Sequence, residues 1–492
     1  MRGSRALAIS AALSAFLYLL YHYVAISAAH TVEVFPWRLL GNWSIGSPAG
    51  LALYETAIVA ALFVLYALAS RRVLQGDDLP RERAAVYAGA AASALILILM
   101  PYLLSKDVFD YMAHGRILAI HHANPFQIPA SAFPSDPFVH AMGWASFTTL
   151  YGPGWISACG LLSWAAPDSL AGSLLLYKVF FAAVHVLNGI LIGAILRGWG
   201  RRSLPGEVLY LWNPLVLSQT LGSAHNDAFL ILWVLLGLLF AQRREAAAKF
   251  SEDALAAICF AVSVLTKYVT APILAFFLAA RWREEGLRRG WLRAAVLAVA
   301  ALAVLLLGFL PYGRGIDPLQ ILRPYQHGFF DGGTLMLLEA VLKKAMPADA
   351  QGIHPRLLSD LMTAASQVAL GLLAVGGTIL LARIRRVEEI PRLGLYVLLA
   401  YLLGATAILH MSYGVWLVPL AVLVPRGIAR RSVFVFSATL FALEIYYVYA
   451  IRVPGGAPSV HLQHAAAVLV AVGVPISYLL AGSIRGWRRG LL

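Results

Sequence analysis

Long apolar stretches separated by short polar segments dominate the hydrophobic pattern of the chain. A membrane-spanning helix needs about 20 mostly apolar residues, and the pattern predicts fourteen spans, several of them short. They lie near 5–27, 50–70, 84–104, 170–196, 205–221, 226–242, 253–266, 268–281, 291–310, 361–384, 393–410, 412–425, 432–450 and 461–483. Because the period-two alternation of barrel strands does not occur, we predict an all-α polytopic membrane protein.

Composition supports this class. Hydrophobic residues make up 60% of the 492 positions and charged residues only 13%, whereas about 25% is usual in a soluble domain. A soluble fold could not bury that much apolar surface, so soluble, disordered and fibrous classes are excluded. Cys159 and Cys259 lie in apolar stretches, where we expect small buried side chains rather than a disulfide or a metal pair.

The positions of the basic residues predict the orientation. The formal net charge is +14, and 27 of the 38 Lys and Arg residues fall in segments that the positive-inside rule assigns to the cytoplasm. These segments are the two termini, 71–83, 197–202, 243–249, 281–293, 383–392 and 426–431. Both termini are therefore predicted to be cytoplasmic, and the positive charge requires no nucleic-acid partner.

One apolar segment, 151–166, is short and opens with Gly-Pro-Gly. A full crossing here would move the Arg-rich segment 197–202 to the outer side, so we predict an interfacial or re-entrant helix on the outer face. It belongs to a long outer loop, 105–169, and a second long outer loop spans 312–360.

The predicted organisation is a single membrane domain, 1–492, with four parts. They are two N-terminal spans in 1–83, a module with the first outer loop in 84–311, the outer loop 312–360 and C-terminal spans in 361–492.

The first outer loop opens with polar residues at helical spacing. Asp107, Asp110 and His114 stand at i, i+3 and i+7, which places them on one face of a helix. This pattern fits an amphipathic helix at the interface. The face could be simply solvated, or it could carry a pair of carboxylates with a histidine for chemistry.

Two further polar groups lie where spans turn at the predicted outer side. His225, Asn226 and Asp227 precede a span, and Asp227 could be a helix cap or part of a site wall. Lys267 separates two short apolar segments within 253–281. A lysine within a membrane segment costs roughly 2.5–3.5 kcal/mol on insertion scales, which makes it a candidate functional residue, although its stem could also let it snorkel to the headgroups.

The second outer loop carries a cluster, Arg323-Pro-Tyr-Gln-His, that could contact a phosphate or a sugar. His410 ends a span on the same side and is expected to be an ordinary interfacial histidine. Three ionisable residues in or near spans receive no role: Glu55, Lys178 and Glu444.

Four segments together resemble a known family. They are DVFDYMAHGRILAIHHANPF at 107–126, TTLYGPGW at 148–155, SAHNDAF at 223–229 and TKYVTAP at 266–272. Their order and spacing are similar to those of the actinobacterial polyprenol-phosphate-mannose-dependent α-1,6-mannosyltransferases, members of the GT-C superfamily akin to glycosyltransferase family 87. Phe109 stands where the family pattern usually has Tyr, and Ala113-His114 where it has an aromatic and an acidic residue.

The resemblance implies transfer of a sugar, mannose, from a polyprenyl-phosphate donor to an acceptor hydroxyl at the outer membrane face, with inversion. Asp107 is then the expected general base, with Asp110 as the second choice. The expected donor-phosphate ligands are Lys267, Arg116 and Arg323. The expected sugar or acceptor contacts are His225, Asn226, Asp227, His114, Tyr111 and Tyr151.

This scheme requires no cofactor and no metal, although the carboxylates with His225 could bind Mg²⁺ as an alternative. The expected partners are the lipid-linked sugar donor and a glycan or glycolipid acceptor, in the plasma (inner) membrane with the active site on the extracytoplasmic side. A transporter or flippase of lipid-linked sugars is the main alternative, and a structural or assembly protein a third. The clustering of polar residues at the outer face, with no internal repeat, favours the enzyme.

Overall fold

The computed structural model describes residues 2–28, 47–100, 105–166, 168–242, 250–313, 330–345, 355–450 and 458–488. Most of these described residues lie in helices. The described part contains no strand, and its one isolated bridge joins Asp331 to Ile408. The predicted all-α class is therefore confirmed.

Many of the helices overlap predicted apolar segments. The first ten are α1 Arg2–Ala28, α2 Pro48–Gln75, α3 Pro80–Ile98, α4 Asp107–Ala119, α5 Pro153–Ala165, α6 Leu170–Gly198, α7 Leu204–Leu211, α8 Pro214–Leu217, α9 Asp227–Ala241 and α10 Phe250–Thr266. The others are α11 Ala271–Glu284, α12 Leu287–Phe309, α13 Thr334–Ala345, α14 Pro355–Arg383, α15 Ile390–Ala400, α16 Gly414–Leu423, α17 Ile428–Thr439, α18 Phe441–Ala450, α19 Pro458–Val468 and α20 Val474–Arg488.

The predicted count of fourteen spans is not confirmed. In the described part, seven helices are long and apolar enough to cross a membrane, and an eighth crossing results if the bent pair Pro214–Gly222 and Asp227–Ala241 counts as one span. Several predicted spans correspond to shorter helices, such as α9 with 15 residues. A helix of that length covers only about 22 Å, which is less than the hydrocarbon thickness of about 30 Å.

Apolar surface faces outward on the long helices, as expected beside lipid. Only 11% of the apolar stretch of α12 and 6% of the apolar stretch of α14 are buried within the protein. By contrast, α7, α8 and α16 are buried along their whole lengths. The short helices therefore form the interior of the bundle, and the long helices α12 and α14 surround part of it.

The two predicted outer-loop helices are present as α4 and α5, and they pack against each other. Gly115 of α4 permits this close approach, because a Cβ at this position would overlap the carbonyl oxygen of Cys159 in α5. The helix α5 begins with Pro153 in its first turn, as the Gly-Pro-Gly start suggested.

Segments that were predicted to share the cytoplasmic side contact one another. Arg202 forms an ion pair with Asp78 at 2.9 Å, and Arg283 donates to the Ile384 carbonyl at 3.3 Å. The Arg-rich segments therefore meet at one end of the bundle. Asp227 and Thr266, at the other ends of α9 and α10, belong to the opposite end, where α4 lies.

Candidate active site

Asp107 is the first residue of α4, and its carboxylate is the accessible one in this region. Its backbone N–H donates to Oγ of Ser105 at 3.2 Å. Its Oδ2 lies 3.9 Å from Nε2 of His225, and 29% of its side chain is exposed. A molecule bound at this end of the protein could therefore reach Asp107 directly.

The electrostatic surroundings keep Asp107 ionised. Burial raises the pKa of its carboxyl group, but polar and cationic neighbours lower it by more, so that the pKa lies below its ordinary value. These neighbours are His225, His410, Ser105 and Lys267. A carboxylate that stays charged at neutral pH can accept a proton, as a general base must.

Asp110 has a different environment one turn later. It is buried, and its Oδ1 accepts the backbone N–H groups of Gly143 at 3.1 Å and Trp144 at 3.4 Å. Burial, and secondly the charge of Asp107, raise the pKa of Asp110 to about 7. Asp110 therefore anchors the outer loop to α4, and its carboxyl group is withdrawn from any bound molecule.

A break in the bundle presents the second group of predicted site residues. The chain passes from a π-helical turn, Ser218–Gly222, through Ala224 in a left-handed conformation with φ 56°, into α9, at an angle of 115°. A non-glycine residue at positive φ is strained and is retained where the surrounding structure, often a functional site, enforces it. The break places His225, Asn226 and Asp227 beside α4.

The imidazole of His225 is oriented by a backbone carbonyl. Its Nδ1 lies 3.2 Å from the carbonyl oxygen of Gln219, which also accepts the backbone N–H of His225 at 3.0 Å. Because a carbonyl can only accept, Nδ1 carries a proton. The other ring nitrogen, Nε2, faces Asp107.

Several buried polar atoms at this place lack a hydrogen-bond partner in the described part of the chain. They include the amide nitrogen and oxygen of the Asn226 side chain, both ring nitrogens of His114, Nε2 of His225 and Oδ2 of Asp227. Buried polar groups in folded proteins are nearly always hydrogen-bonded. A group of such atoms at one location therefore indicates a binding site for a polar ligand.

Lys267 and Asp227 form the charged part of the site. The ammonium of Lys267 donates to Oδ1 of Asp227 at 2.5 Å, and Nε1 of Trp416 donates to the same oxygen. The ammonium also lies 5.1 Å from the ring centre of Tyr413 and 5.4 Å from that of Trp416, within the range of cation–π attraction. The lysine is thus held by protein groups, with 19% of its side chain exposed.

Two predicted tyrosines connect α4 to its neighbours. The rings of Tyr111 and Tyr151 meet edge to face at 4.8 Å, and the hydroxyl of Tyr111 accepts the backbone N–H of Asn226 at 3.4 Å. The ring of Tyr151 lies 6.5 Å from that of His114. Nine predicted residues therefore lie together: Asp107, Asp110, Tyr111, His114, Tyr151, His225, Asn226, Asp227 and Lys267.

Arg116 does not belong to this group. Arg116 pairs with Asp136 at 2.9 Å and with Asp168 at 3.0 Å, and it lies over the ring of Phe138. Its guanidinium is therefore committed to two carboxylates, and its predicted phosphate contact stays a prediction. Arg323 lies outside the described residues.

Three residues of the site were given no role from the sequence. Tyr413 and Trp416 stack at 4.4 Å beside Lys267, and the ring of His410 lies 4.9 Å from that of His225. All three stand in HMSYGVW at 410–416. The signal was the concentration of polar and aromatic side chains at a span end, which is also the composition of an ordinary interfacial belt.

No group of three or more metal-ligating side chains is arranged to hold a metal ion within the described ranges. The prediction that transfer needs no metal is neither supported nor contradicted by this finding.

Comparison with known proteins identifies the family. The family model described as "Alpha-(1->6)-mannopyranosyltransferase, N-terminal domain" matches residues 13–283, which is more than half of the chain. The chain belongs to this family. The matched region contains α4, the break before α9 and Lys267, and it ends before His410. The predicted resemblance is therefore confirmed, and the family is one of glycosyltransferases.

Two relatives from Corynebacterium glutamicum are similar to part of the chain. Alpha-(1->6)-mannopyranosyltransferase B is 27% identical over 161 residues, which are 30% of this chain and 24% of the relative. Alpha-(1->6)-mannopyranosyltransferase A is 24% identical over 155 residues, which are 31% of each chain. The alignments thus span about a quarter to a third of these relatives' lengths. No solved structure matches the chain.

Proposed function

We propose that this protein is a membrane glycosyltransferase of the GT-C type. It transfers a mannosyl residue from a polyprenyl-phosphate donor to a hydroxyl of a glycan or glycolipid acceptor. Membership of the α-(1→6)-mannopyranosyltransferase family supports the sugar and the reaction class. The observation that carries the mechanism is the accessible carboxylate of Asp107 beside a cluster of unpartnered polar groups.

Asp107 is the general base in this proposal. The acceptor oxygen attacks the anomeric carbon, its proton passes to a carboxylate oxygen of Asp107, and the bond from the anomeric carbon to the phosphate oxygen breaks. The electron pair of that bond leaves with the polyprenyl phosphate. Attack opposite to the leaving group inverts the configuration, so an α product requires a donor with a β-linked phosphate.

Lys267 provides the positive charge for the departing phosphate. Negative charge develops on the leaving oxygen in the transition state, and a fixed cation in a partly buried site stabilises it. The ion pair with Asp227 and the rings of Tyr413 and Trp416 hold the ammonium in position. Arg116 and Arg323 remain further candidates for binding the donor phosphate.

The sugar is bound by the groups that lack partners. The amide of Asn226 offers both a donor and an acceptor, and the imidazole of His114 offers one of each, which suits the hydroxyls of a pyranose. Tyr111 and Tyr151 supply aromatic surface at the same place. Their buried position beside α4 keeps the sugar near Asp107.

The site faces the extracytoplasmic side of the plasma membrane in this proposal, and both termini face the cytoplasm. The support is the grouping of the Arg-rich segments at the end of the bundle away from α4 together with the positive-inside rule. Lipid-linked donor and acceptor would then both approach from the outer leaflet.

A donor panel tests the proposal. Purified protein in detergent would receive polyprenyl-phosphate mannose, glucose and arabinose, each with a mannan or glycolipid acceptor, and mass spectrometry would identify the products. We expect a hexose to be added from the mannose donor alone. Preferential transfer from another donor would replace mannose as the proposed sugar. The absence of transfer from every donor would contradict the proposed function.

A further inference from the structure

Lys178 is a buried lysine to which the mechanism above gives no part. It lies on α6 eight residues after the first residue of that helix, or about 12 Å along its axis, and its side chain is completely buried. An ionisable residue inside a membrane segment is costly and usually serves a function. Its surroundings show which function this is.

The ammonium of Lys178 donates to three backbone carbonyls and pairs with no carboxylate in the described part of the chain. The acceptors are Leu97 at 3.3 Å, Leu221 at 3.1 Å and Gly222 at 2.7 Å. All three hydrogen positions of the ammonium are thereby used. The charge is balanced by carbonyl dipoles instead of by a counter-ion.

These carbonyls belong to two helix ends. Leu97 lies in the last turn of α3, and Leu221 and Gly222 end the π-helical turn Ser218–Gly222. Carbonyls at a helix C-terminus lack partners within the helix, and the negative end of the helix dipole lies there. A single cation therefore caps two helices at once.

The two capped ends are close in sequence to the two halves of the site. Asp107 begins the helix that follows α3, and His225 comes three residues after Gly222. We infer that Lys178 is a positioning residue that sets the separation of Asp107 and His225 by tying both chain segments to α6. This inference rests on the proposed function only for its effect on transfer.

The test compares three variants of α6. Lys178→Met removes the charge and keeps the volume, and Lys178→Arg keeps hydrogen-bond donors for the carbonyls. His185→Phe is the matched control, because His185 is also buried on α6, bonds a single carbonyl, Leu211, at 3.2 Å, and stacks on Tyr210. The control thus removes one buried hydrogen bond of the same helix away from the break.

Kinetics are measured with polyprenyl-phosphate mannose on the folded, membrane-inserted fraction. A displacement of about 1 Å at a reacting group costs about 100-fold in rate. We expect Lys178→Met to lower kcat by about that factor with little change in the KM of the donor. Lys178→Arg should have a kcat between those of Lys178→Met and wild type, and His185→Phe should have the kcat of wild type. Equal kcat in Lys178→Met and wild type would overturn the inference.

A second measurement does not depend on transfer. The pair Asp107→Cys and His225→Cys is treated with a short bifunctional thiol reagent, dibromobimane, because side chains that meet end to end are too far apart at their Cα atoms for a direct disulfide, and the crosslink between these positions is quantified by mass spectrometry. We expect the crosslink between the two cysteines to form rapidly with the native Lys178 or with Lys178→Arg, and more slowly with Lys178→Met. Undiminished formation in Lys178→Met would refute the positioning role, even if the wild type proved to transfer no mannose and the proposed function failed.

If Lys178→Met does not insert, Lys178→Gln replaces it in both measurements. Glutamine keeps two donors without charge, so the expected effects have the same direction and lie between those of Lys178→Arg and Lys178→Met. Wild-type behaviour of Lys178→Gln in both measurements would equally refute the inference.

Discussion

The ammonium of Lys267 donates to the carboxylate of Asp227 at 2.5 Å, beside two stacked aromatic rings. If this cation stabilises the departing phosphate, Lys267→Met should lower kcat by about 10²–10³-fold, the usual cost of losing one transition-state donor. Lys267→Arg should keep a larger part of the rate. Initial rates at saturating donor provide the measurement.

Two controls distinguish a direct action of Lys267 on the departing phosphate from an action through its ion pair with Asp227. Lys344→Met removes an exposed lysine of α13 and should leave the rate unchanged. In Lys267→Met the carboxylate of Asp227 loses its cation, and the double variant Lys267→Met/Asp227→Asn removes that unbalanced charge. Recovery of transfer in the double variant would show that Lys267 acts only through Asp227.

The pH dependence of kcat/KM distinguishes the two carboxylates of α4. The pKa of Asp107 lies below its ordinary value, whereas that of Asp110 is raised to about 7. A base is active when deprotonated, so the rate falls as the pH drops through its pKa. With Asp107 as the base, kcat/KM should show no acid limb between about pH 8 and about pH 5.

An acid limb near pH 7 that disappears in Asp110→Asn would instead assign the base to Asp110. The same profile measured in Asp110→Asn is therefore the control, and it should remain flat over this range. Because the Asn oxygen can still accept the N–H groups of Gly143 and Trp144, the outer loop should keep its position.

Labelling of introduced cysteines tests the orientation. Trp144 is 63% exposed on the first outer loop, and Arg385 is exposed at the opposite, Arg-rich end. We expect a membrane-impermeant maleimide to label Trp144→Cys in intact cells and Arg385→Cys only after permeabilisation. Wild type is the control, since Cys159 and Cys259 are buried. The reverse pattern would place the site in the cytoplasm.

Much of the candidate site could be predicted from local patterns. Helical spacing placed Asp107, Asp110 and His114 on one helix. The position of Lys267 at the turn between two apolar segments predicted the end of the bundle at which it lies. These features depend on a few neighbouring residues and on the side of the membrane at which a segment begins. The structure brings them together because segments that begin on the same side share one end of the bundle.

Other features depend on distant partners and could not be predicted. Nothing near Arg116 in the sequence shows that Asp136 and Asp168 bind its guanidinium. The positions of Tyr413 and Trp416 beside Lys267 likewise follow from packing of α16 against α9. The number of spans was also beyond the hydropathy pattern, because hydropathy does not show where an apolar stretch is divided into short helices, as at the π-helical turns Ser218–Gly222 and Tyr401–Ala405.

The central claim is that Asp107 takes the proton of the acceptor hydroxyl. Its most direct test is the rate of mannosyl transfer from polyprenyl-phosphate mannose by Asp107→Asn, with Asp331→Asn as the matched control, since Asp331 is 33% exposed and also faces a histidine, His464, at 3.2 Å. We predict that Asp107→Asn inserts normally, binds the donor and loses transfer by about 10²–10⁴-fold, the usual contribution of a general base, while Asp331→Asn transfers like wild type. Wild-type turnover by Asp107→Asn would contradict the account.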